Sequence, residues 1–345
     1  VHFLDNVDPD YLRRLLDRIE LENTVVSVVS KSGSTAETVA NYLVVREAFE
    51  DADLEPRDHT VVTTGDASPL RDVGSRRVFD FPGVPGRYSA LSVTGLLPAA
   101  FAGVNVEEVL EGGRKAEERC ARPSIRDNPG YALGGASYAL DRKGRSVTVM
   151  MPYSERLETF GEWYAQLWAE SLGKRETVDG RVVNAGQTPV KSVGVTDQHS
   201  LLQLLVEGPD DKLVTFVDVG EGSDEDLGGD VSIPETHDEV HGYLCGSTLS
   251  ELRAAELDAT QASLVEAGKP SLRVKLRDVS PSEVGQLLYT YEVAVAVAGE
   301  LHGVNPFNQP GVESGKRATY ALLGREGYEG EEGRVEEIKE TLFEV

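Results

Sequence analysis

The chain has 345 residues, 40% of them hydrophobic, so its length and apolar content allow two domains with cores of their own. Its net charge of −25, from 59 acidic and 34 basic residues, excludes nucleic acid as the expected partner, because phosphate backbones bind basic faces. The short apolar runs predict neither a membrane span nor a secretory signal, and two cysteines predict neither a disulfide framework nor a metal cluster, which suits a reducing cytoplasm.

The first part of the chain predicts alternating helices and strands. Asp8 and Pro9 begin a helix, Asp8 as its cap and Pro9 in its first turn. The next predicted elements are strands at 24–29, 60–64 and 77–81, a helix after the first of these strands, and a helical region from about 89 to 140 broken near 105 and 123. This order is typical of an α/β domain, which we place at residues 1–143.

A second α/β unit follows, and we place it at residues 144–300. Its predicted strands are 146–151, 213–219 and 272–276, and its predicted helices are 157–172, one including 203–206, 248–267 and 282–301. An acidic, Gly-rich loop is predicted at 220–230, and a last helix at 335–343. The fold class is therefore α/β, with two doubly wound, three-layer parallel-sheet domains and a C-terminal segment, 301–345, of an active-site loop and helices.

A hydroxyl-rich turn lies between the first strand and its helix, and it reads Ser30-Lys31-Ser32-Gly33-Ser34-Thr35-Ala36-Glu37-Thr38. Hydroxyls, free backbone N–H groups and the helix dipole converge in such a turn, so we predict a phosphate site. The spacing is not that of a P-loop, and a polar turn without a ligand is the alternative. The stretch resembles the phosphate loop of sugar isomerase (SIS) domains. Its sequence is close to the motif S-K-[TS]-x-x-T-x-E-T of phosphoglucose isomerases.

A Gly/Pro-rich turn at 82–86 presents Arg87, a fixed cation suited to anionic oxygens. An arginine in a glycine turn is common, so this signal is weak by itself. The segment Gly86-Arg87-Tyr88-Ser89 resembles the G-R-[FY]-S signature of phosphoglucose isomerases. The resemblance implies that Arg87 lies beside the reacting carbons and stabilises a negative enediolate.

In the predicted helix 157–172, Gln166 and Glu170 are four residues apart and therefore share one face. An amphipathic helix with an exposed glutamate is the alternative. Residues 170–174 resemble the Glu-Ser-x-Gly-Lys motif of the same family. The resemblance implies that Glu170 moves a proton between C1 and C2 of a sugar and that Gln166 contacts the substrate.

The segment 194–200 contains His199, one of only six histidines. A lone histidine where a loop meets a helix is commonly a surface or capping residue, although its near-neutral pKa also suits acid–base work. The segment resembles G-x-x-x-Q-H-x-x-x-Q-L of the family. The resemblance implies that His199 helps to open the sugar ring and is supplied by the neighbouring subunit, and that Glu37 stands where the family has the acid that orients it.

The strongest signal is the ordered set of Gly, Asn, Pro, Gln and Lys at 299–316, which is improbable in a generic loop. It resembles the C-terminal phosphoglucose isomerase signature, N-P-F-[DN]-Q-x-G-V-E-x-x-K. The resemblance implies that Gln309 binds near the substrate and that Lys316 contacts the ring oxygen or its hydroxyl. We interpret His302 and Asn305 as loop structure.

These segments run in the family's order from residue 30 to residue 316, so the chain resembles a short bacterial or archaeal phosphoglucose isomerase over essentially its whole length. The resemblance implies a cytoplasmic homodimer with a shared site that interconverts glucose 6-phosphate and fructose 6-phosphate through a cis-enediolate, without cofactor or metal. Phosphate would be held by Ser30, Ser32, Thr35 and the Lys31 backbone. The alternatives are a dual phosphoglucose/phosphomannose isomerase and a non-catalytic SIS-domain protein that binds a sugar phosphate.

The chain departs from the family at its start. Members begin with a G-x-G-G-S-x-L-G strand and loop, whereas this sequence opens with Val1-His2-Phe3-Leu4 and resembles the segment after that loop. We expect a truncated or mis-started sequence.

The charged residues also bear on the salt concentration at which the protein works. Only 10 of the basic residues are Lys, and an acidic, Lys-poor surface resembles proteins of salt-loving microbes. In such proteins carboxylates hold hydration, and salt screens their mutual repulsion. This interpretation predicts poor stability at low salt, and an ordinary acidic cytosolic enzyme is the alternative.

Overall fold

The computed structural model describes residues 1–220, 230–236 and 240–339. Its helices are α1 (Pro9–Leu16), α2 (Ala36–Asp51), α3 (Val93–Phe101), α4 (Val106–Cys120), α5 (Pro129–Asp141), α6 (Glu158–Leu172), α7 (Thr196–Glu207), α8 (Leu249–Glu266), α9 (Pro281–His302), α10 (Pro310–Leu322) and α11 (Glu329–Lys339). Its strands are β1 (Val26–Ser30), β2 (Thr60–Thr64), β3 (Arg77–Asp80), β4 (Val147–Pro152), β5 (Lys174–Glu176), β6 (Val182–Ala185), β7 (Thr188–Lys191), β8 (Lys212–Val219) and β9 (Ser271–Leu276). The predicted α/β class with parallel sheets is confirmed.

The chain forms two compact units, and the first comprises Val1–Val104 with the described part of 309–345. Its sheet has three parallel strands in the order β1-β2-β3. Val28 and Val62 on adjacent strands pack with Tyr42 of α2 into a small core. Because the strands are parallel, the segments that follow β1 and β3 leave from the same edge of the sheet, the edge at which ligands bind in open α/β sheets.

The second unit is Asn105–Asn308, built on a parallel four-stranded sheet in the order β7-β4-β8-β9. Its core contains Met151, Phe216 and Leu257, all buried to 1% exposure or less. The strand β4 is buried almost throughout, as expected for a central parallel strand between helices. A separate antiparallel hairpin, β5-β6, follows α6 and was not predicted from the sequence.

The compact units divide the chain elsewhere than at the predicted boundaries, residues 143 and 300. Helices α4 and α5 belong to the second unit because they pack closely on α9. Glycines allow this approach: a Cβ on Gly112 would lie 2.0 Å from the Ser282 carbonyl oxygen, and one on Gly285 would lie 2.0 Å from that of Val109. A long apolar helix late in the sequence thus gathers helices that precede the predicted second domain.

Most predicted elements are found within two residues of their expected ends, but two of them need comment. The predicted acidic loop at 220–230 falls mostly on residues 221–229, which lie outside the described residues. The predicted last helix, 335–343, begins earlier, at Glu329, and residues 340–343 lie outside the described part. Within that part, no helix is both long enough and apolar enough to cross a bilayer.

Candidate active site

The hydroxyl-rich turn follows β1 at the carboxyl edge of the first unit's sheet. Ser30 is buried, its Oγ accepts a hydrogen bond from the Gly33 N–H at 3.1 Å, and it lies 2.9 Å from Thr35 Oγ1. Gly33 has φ +66°, and a Cβ there would lie 2.0 Å from Ser68 Oγ, so the turn needs glycine. Thr35 is the N-cap of α2, yet its hydroxyl makes no bond to the helix backbone.

The lack of a bond from the Thr35 hydroxyl to the α2 backbone distinguishes a phosphate site from a polar turn without a ligand. In an ordinary polar cap, the side-chain oxygen accepts a bond from the N–H of the second or third helical residue. Here the hydroxyls of Ser30 and Thr35 bond to each other, and Ser32 Oγ accepts bonds from the N–H and the hydroxyl of Ser34. The first N–H groups of α2 are left for an anion, which the helix dipole also favours.

Two further segments of the first unit are tied to this turn. Lys31 Nζ donates to the carbonyl oxygen of Val84 at 3.4 Å, which joins the turn to the Gly/Pro-rich segment before Arg87. The Tyr320 hydroxyl on α10 donates to the Ser34 carbonyl oxygen at 2.7 Å. The sequence reasoning missed Tyr320, although its spacing of four residues after Lys316 puts both on one helix face.

Arg87 lies in a short 3-10 turn and is buried, with 4% of its surface exposed. Its Nη1 donates to Gln309 Oε1 at 2.9 Å, and its guanidinium carbon lies 5.5 Å from the ring centre of Tyr88. Arg87 and Gln309 were predicted separately, from segments 222 residues apart in the sequence. The structure brings them into direct contact, next to the strand edge that carries the hydroxyl-rich turn.

Helix α10 begins inside the C-terminal signature segment, directly after the loop part of that segment. Gln309 is the N-cap residue, Pro310 is the first helical residue, and Lys316 lies about two turns further on. Lys316 is exposed, and its Nζ donates to Glu313 Oε1 at 3.2 Å. An exposed, three-residue-apart ion pair contributes little stability, so Lys316 can exchange Glu313 for a ligand at small cost.

In the second unit, α6 carries the predicted glutamate near its carboxyl end. Gln166 Nε2 donates to Glu170 Oε1 at 2.9 Å, which confirms that the two side chains share one face. Gln166 is exposed and Glu170 half-buried, whereas Trp168 is buried and stacks on Tyr164 with ring centres 5.3 Å apart. The helix therefore has an apolar core face and a polar face that presents Glu170.

His199 lies in the first turn of α7, after the carboxyl end of β7, and its side chain is exposed. Its neighbour Gln198 is buried and accepts bonds from the hydroxyls of Tyr153 and Thr260, both at 2.7 Å. The carboxylate of Asp197 accepts the Val193 N–H at 2.7 Å. These bonds fix the start of α7, and the sequence reasoning overlooked Gln198 because it concentrated on the histidine.

Three other predicted residues have clear positions. Glu37 is exposed in the first turn of α2. Asn305 is part of the loop, where its side chain accepts the Phe307 N–H at 2.9 Å, as predicted. The loop interpretation of His302 was wrong: it is the last residue of α9, its ring packs edge-on against Tyr138, and burial lowers its pKa. The αL residue Gly303 ends the helix one position later than expected.

Charge and ligand type in these segments indicate what they can bind. The first unit contains the hydroxyls of the turn, Arg87, Gln309 and Lys316, and the second unit contains Gln166, Glu170 and His199. In a chain of net charge −25, a buried arginine and an uncapped helix start suit a small anion. Among the described residues, no group of three or more His, Cys, Asp or Glu is arranged to hold a metal ion.

Comparison with known proteins gives a family match over most of the chain. The model of the family described as phosphoglucose isomerase matches residues 1–326. A probable glucose-6-phosphate isomerase of Haloarcula marismortui is 50% identical over 326 residues, covering 93% of this chain and 71% of the relative. The glucose-6-phosphate isomerase of Carboxydothermus hydrogenoformans is 43% identical over 343 residues, covering 97% of this chain and 73% of the relative.

Solved structures agree with the sequence relatives. A glucose-6-phosphate isomerase from Chlamydia trachomatis superimposes with a TM-score of 0.86 at 28% identity, covering 99% of this chain and 67% of that one. A hypothetical protein from Thermus thermophilus superimposes with a TM-score of 0.87 at 40% identity, covering 94% of this chain and 77% of that one. The same fold is therefore found in solved structures over nearly all of the chain.

Proposed function

This chain belongs to the phosphoglucose isomerase family, and we propose that it interconverts glucose 6-phosphate and fructose 6-phosphate by moving a proton between C1 and C2. It is an aldose–ketose isomerase. The observation that carries the assignment of its site is the bonded set in the first unit, in which Arg87 meets Gln309 and Tyr320 meets Ser34. These bonds join three separate signature segments around one strand edge.

The first unit binds the anionic parts of the substrate. The phosphate is held by the hydroxyls of Ser30, Ser32 and Thr35 and by the Lys31 backbone, a role supported by the uncapped N–H groups of α2. Arg87 stabilises the negative charge that develops on the cis-enediolate, because a buried guanidinium needs no reorganisation when the charge forms. Gln309, held by Arg87, contacts the substrate, and Lys316 assists ring opening at the ring oxygen.

The second unit supplies the proton transfer. Glu170 removes the proton from C2 and returns it to C1 as a general base and then acid. Gln166 orients the carboxylate by donating to one of its oxygens, and Gln166 also contacts the substrate. His199 exchanges the proton that opens the sugar ring, a step that suits an imidazole, and Glu37 orients it.

The assembly we propose is a homodimer with shared sites, in which His199 acts on the substrate bound by the other subunit. Its exposed place in the first turn of α7 supports this role. Co-expressing Glu170→Gln with His199→Ala chains tests it: a mixed dimer would hold one site with both residues intact. Recovery of activity above that of either single variant supports sharing, and no recovery in a confirmed mixed dimer contradicts it.

The compartment we propose is the cytoplasm. The support is that Cys120 and Cys245 are both free thiols, as expected where disulfides do not form. Burial raises the pKa of the Cys120 thiol, which keeps it protonated and unreactive. Fractionation of the source cells, with a cytosolic marker assayed beside isomerase activity, checks this placement.

The test of the function is isomerisation of fructose 6-phosphate by the full chain in molar KCl, compared with Glu170→Gln. Loss of a general base lowers kcat by about 10²- to 10⁴-fold, while phosphate binding is retained. The matched control is Glu162→Gln, an exposed glutamate of the same helix whose ion pair with Lys191 serves no chemistry here.

The outcomes separate the alternatives. An inactive wild-type protein that still binds fructose 6-phosphate would favour the sugar-phosphate-binding module. Comparable turnover of mannose 6-phosphate would favour the dual isomerase. An active Glu170→Gln enzyme would contradict the role of Glu170 and leave the isomerase activity itself standing.

A further inference from the structure

The carboxyl end of α6 is closed by the side chain of Lys174. Its Nζ donates to the carbonyl oxygen of Glu170 at 2.5 Å and to that of Ser171 at 2.7 Å. Lys174 is buried, with 6% of its surface exposed, although lysine is among the residues least often found inside proteins. A buried ammonium on these two carbonyl groups implies a specific role.

This closure replaces the usual one. The last carbonyl groups of a helix lack partners within it, and many helices satisfy them with a glycine in the left-handed conformation just after the end. Gly173 has φ −68° and ψ 86°, which is not left-handed, and its N–H reaches only Ala169. The Lys174 ammonium group donates to the carbonyl oxygens of the next two residues, Glu170 and Ser171. Its positive charge also interacts favourably with the negative end of the helix dipole.

The lysine is itself fixed by the hairpin β5-β6. Lys174 pairs with Ala185 across the hairpin, and a Cβ on Gly186 would lie 2.9 Å from the Cα of Gly173, so the two strands hold the helix end tightly. At the other end of the hairpin, the Val178 N–H donates to the Gly303 carbonyl oxygen at 2.8 Å. The hairpin therefore connects the end of α6 with the end of α9, where the C-terminal signature begins.

We propose that Lys174 is a positioning residue for the proton transfer: it fixes the main chain of Glu170 while Gln166 fixes its carboxylate. The proposal rests on the proposed function, because it takes Glu170 as the base. The last turn of a helix frays first when its carbonyls lack partners, and Glu170 lies in that turn. A loose backbone would displace the carboxylate from the reacting carbon, and a misplacement of about 1 Å costs on the order of 10²-fold in rate.

The test replaces Lys174 by Met, which keeps much of the apolar stem but loses the charge and the donors. We expect kcat to fall about 10- to 100-fold with KM changed less than about threefold, because the phosphate-binding residues lie in the other unit. The decisive readout is the primary isotope effect with glucose 6-phosphate deuterated at C2. It should increase, since breaking the C2–H bond becomes slower than the other steps.

This readout distinguishes positioning from folding. A variant that merely folds poorly contains fewer active molecules, which lowers the apparent kcat but leaves the isotope effect of those molecules unchanged. The conservative variant Lys174→Arg keeps the cation and its donors and should restore the wild-type isotope effect. The matched control is Lys191→Met. It removes an exposed lysine of β7 that pairs with Glu162 of α6, and it should change neither kcat nor the isotope effect.

An unchanged isotope effect in Lys174→Met, with active wild-type enzyme, overturns the positioning role and leaves the isomerase function intact. An inactive wild-type enzyme would instead show that the proposed function has failed. If Lys174→Arg gives the same raised isotope effect as Lys174→Met, the donors and charge are not what positions Glu170, and the proposal is also overturned.

Discussion

Arg87 Nη1 donates to Gln309 Oε1 at 2.9 Å, across 222 residues of sequence, and only 4% of the arginine surface is exposed. The arginine comes from a glycine turn after β3, and the glutamine from the cap of α10. An arginine stays protonated even when it is buried, and the bond to the Gln309 amide oxygen fixes the orientation of its guanidinium. This pairing is the arrangement expected where negative charge must develop on a substrate.

Replacing Gln309 by Ala should therefore impair both catalysis and stability. A hydrogen bond to a charged group contributes about 1.5–3 kcal/mol, and the buried guanidinium would lose that acceptor. We expect kcat/KM for fructose 6-phosphate to fall at least about tenfold and the unfolding free energy to fall by about 1–2 kcal/mol. Steady-state kinetics and urea unfolding measure these quantities. The control is Asn23→Ala, which removes an exposed amide bonded to Glu20, and equal effects in both variants would contradict the prediction.

The two serines of the phosphate turn should behave differently. Ser30 is buried, and its Oγ accepts a hydrogen bond from the Gly33 N–H. Ser32 is exposed, and its Oγ accepts a hydrogen bond from the Ser34 N–H. Both Ser30→Ala and Ser32→Ala should raise KM about tenfold, since each removes a phosphate donor. Only Ser30→Ala should also lower Tm, because a buried N–H loses its acceptor at a cost of about 1–3 kcal/mol.

Calorimetry and steady-state kinetics on the same preparations test this contrast. The exposed Ser200, in the first turn of α7, offers a control whose replacement by Ala should leave KM within about twofold of wild type. An unchanged KM in both serine variants would show that the turn is a structural cap with no ligand role, and an equal drop of Tm in both would contradict the predicted contrast in stability.

Glu292 of α9 should make stability depend on pH. Burial raises the pKa of its carboxyl to about 8, from an ordinary value of 4.5, and its Oε1 is buried with no hydrogen-bond partner among the described residues. A raised pKa means that the folded state holds the proton more tightly. This contribution to stability is complete below about pH 4.5 and is lost as pH rises through about 8.

Replacement by Gln removes the titration while keeping the size of the side chain. Relative to wild type, Glu292→Gln should gain stability as pH rises from about 5 to about 8.5, by on the order of a few kcal/mol at most. Urea unfolding at fixed salt over this range measures the difference. A difference between the two proteins that does not change with pH would show that Glu292 titrates normally in the folded state.

The net charge of −25 should make the protein sensitive to salt. Raising KCl from about 0.1 M to about 1 M shortens the screening length from about 10 Å to about 3 Å and so weakens repulsion among the carboxylates. We expect Tm to rise across this range and activity to be lost at the low end. A parallel series in sucrose at low salt separates screening from general exclusion effects, and a flat Tm in KCl would contradict the prediction.

The order of elements could be predicted from the sequence because its causes are local. Alternation of apolar runs with amphipathic stretches predicts strands and helices, and β2 was predicted with its observed ends, Thr60–Thr64. The hairpin β5-β6 could not be predicted in this way, because its strands are short and most of their residues are exposed. Its stability comes from contacts with α6 and with Gly303, which lies far away in sequence.

The candidate site likewise contains residues that could be predicted from the sequence and residues that could not. Residues such as Glu170 and Gln309 stand in motifs whose chemistry is readable from residue type and spacing, and the resemblance to a family assigned them roles. The positions of Tyr320, Gln198 and Lys174 could not be read in this way, since each acts on a partner through burial or a main-chain carbonyl. His302 was misread as well, because α9 continues through it and its ring packs against Tyr138, a contact between residues distant in sequence.

Residue patterns along the chain predict the fold class and the family and name candidates for the reacting groups, because these depend on local periodicity and on residue types that a reaction requires in order. Folding in three dimensions brings Arg87 to Gln309, places α4 and α5 in the second unit and lets a buried lysine close the helix of Glu170. These depend on which surfaces fit together when glycines allow close approach and when unpaired backbone groups must find partners, and such contacts join residues distant in sequence.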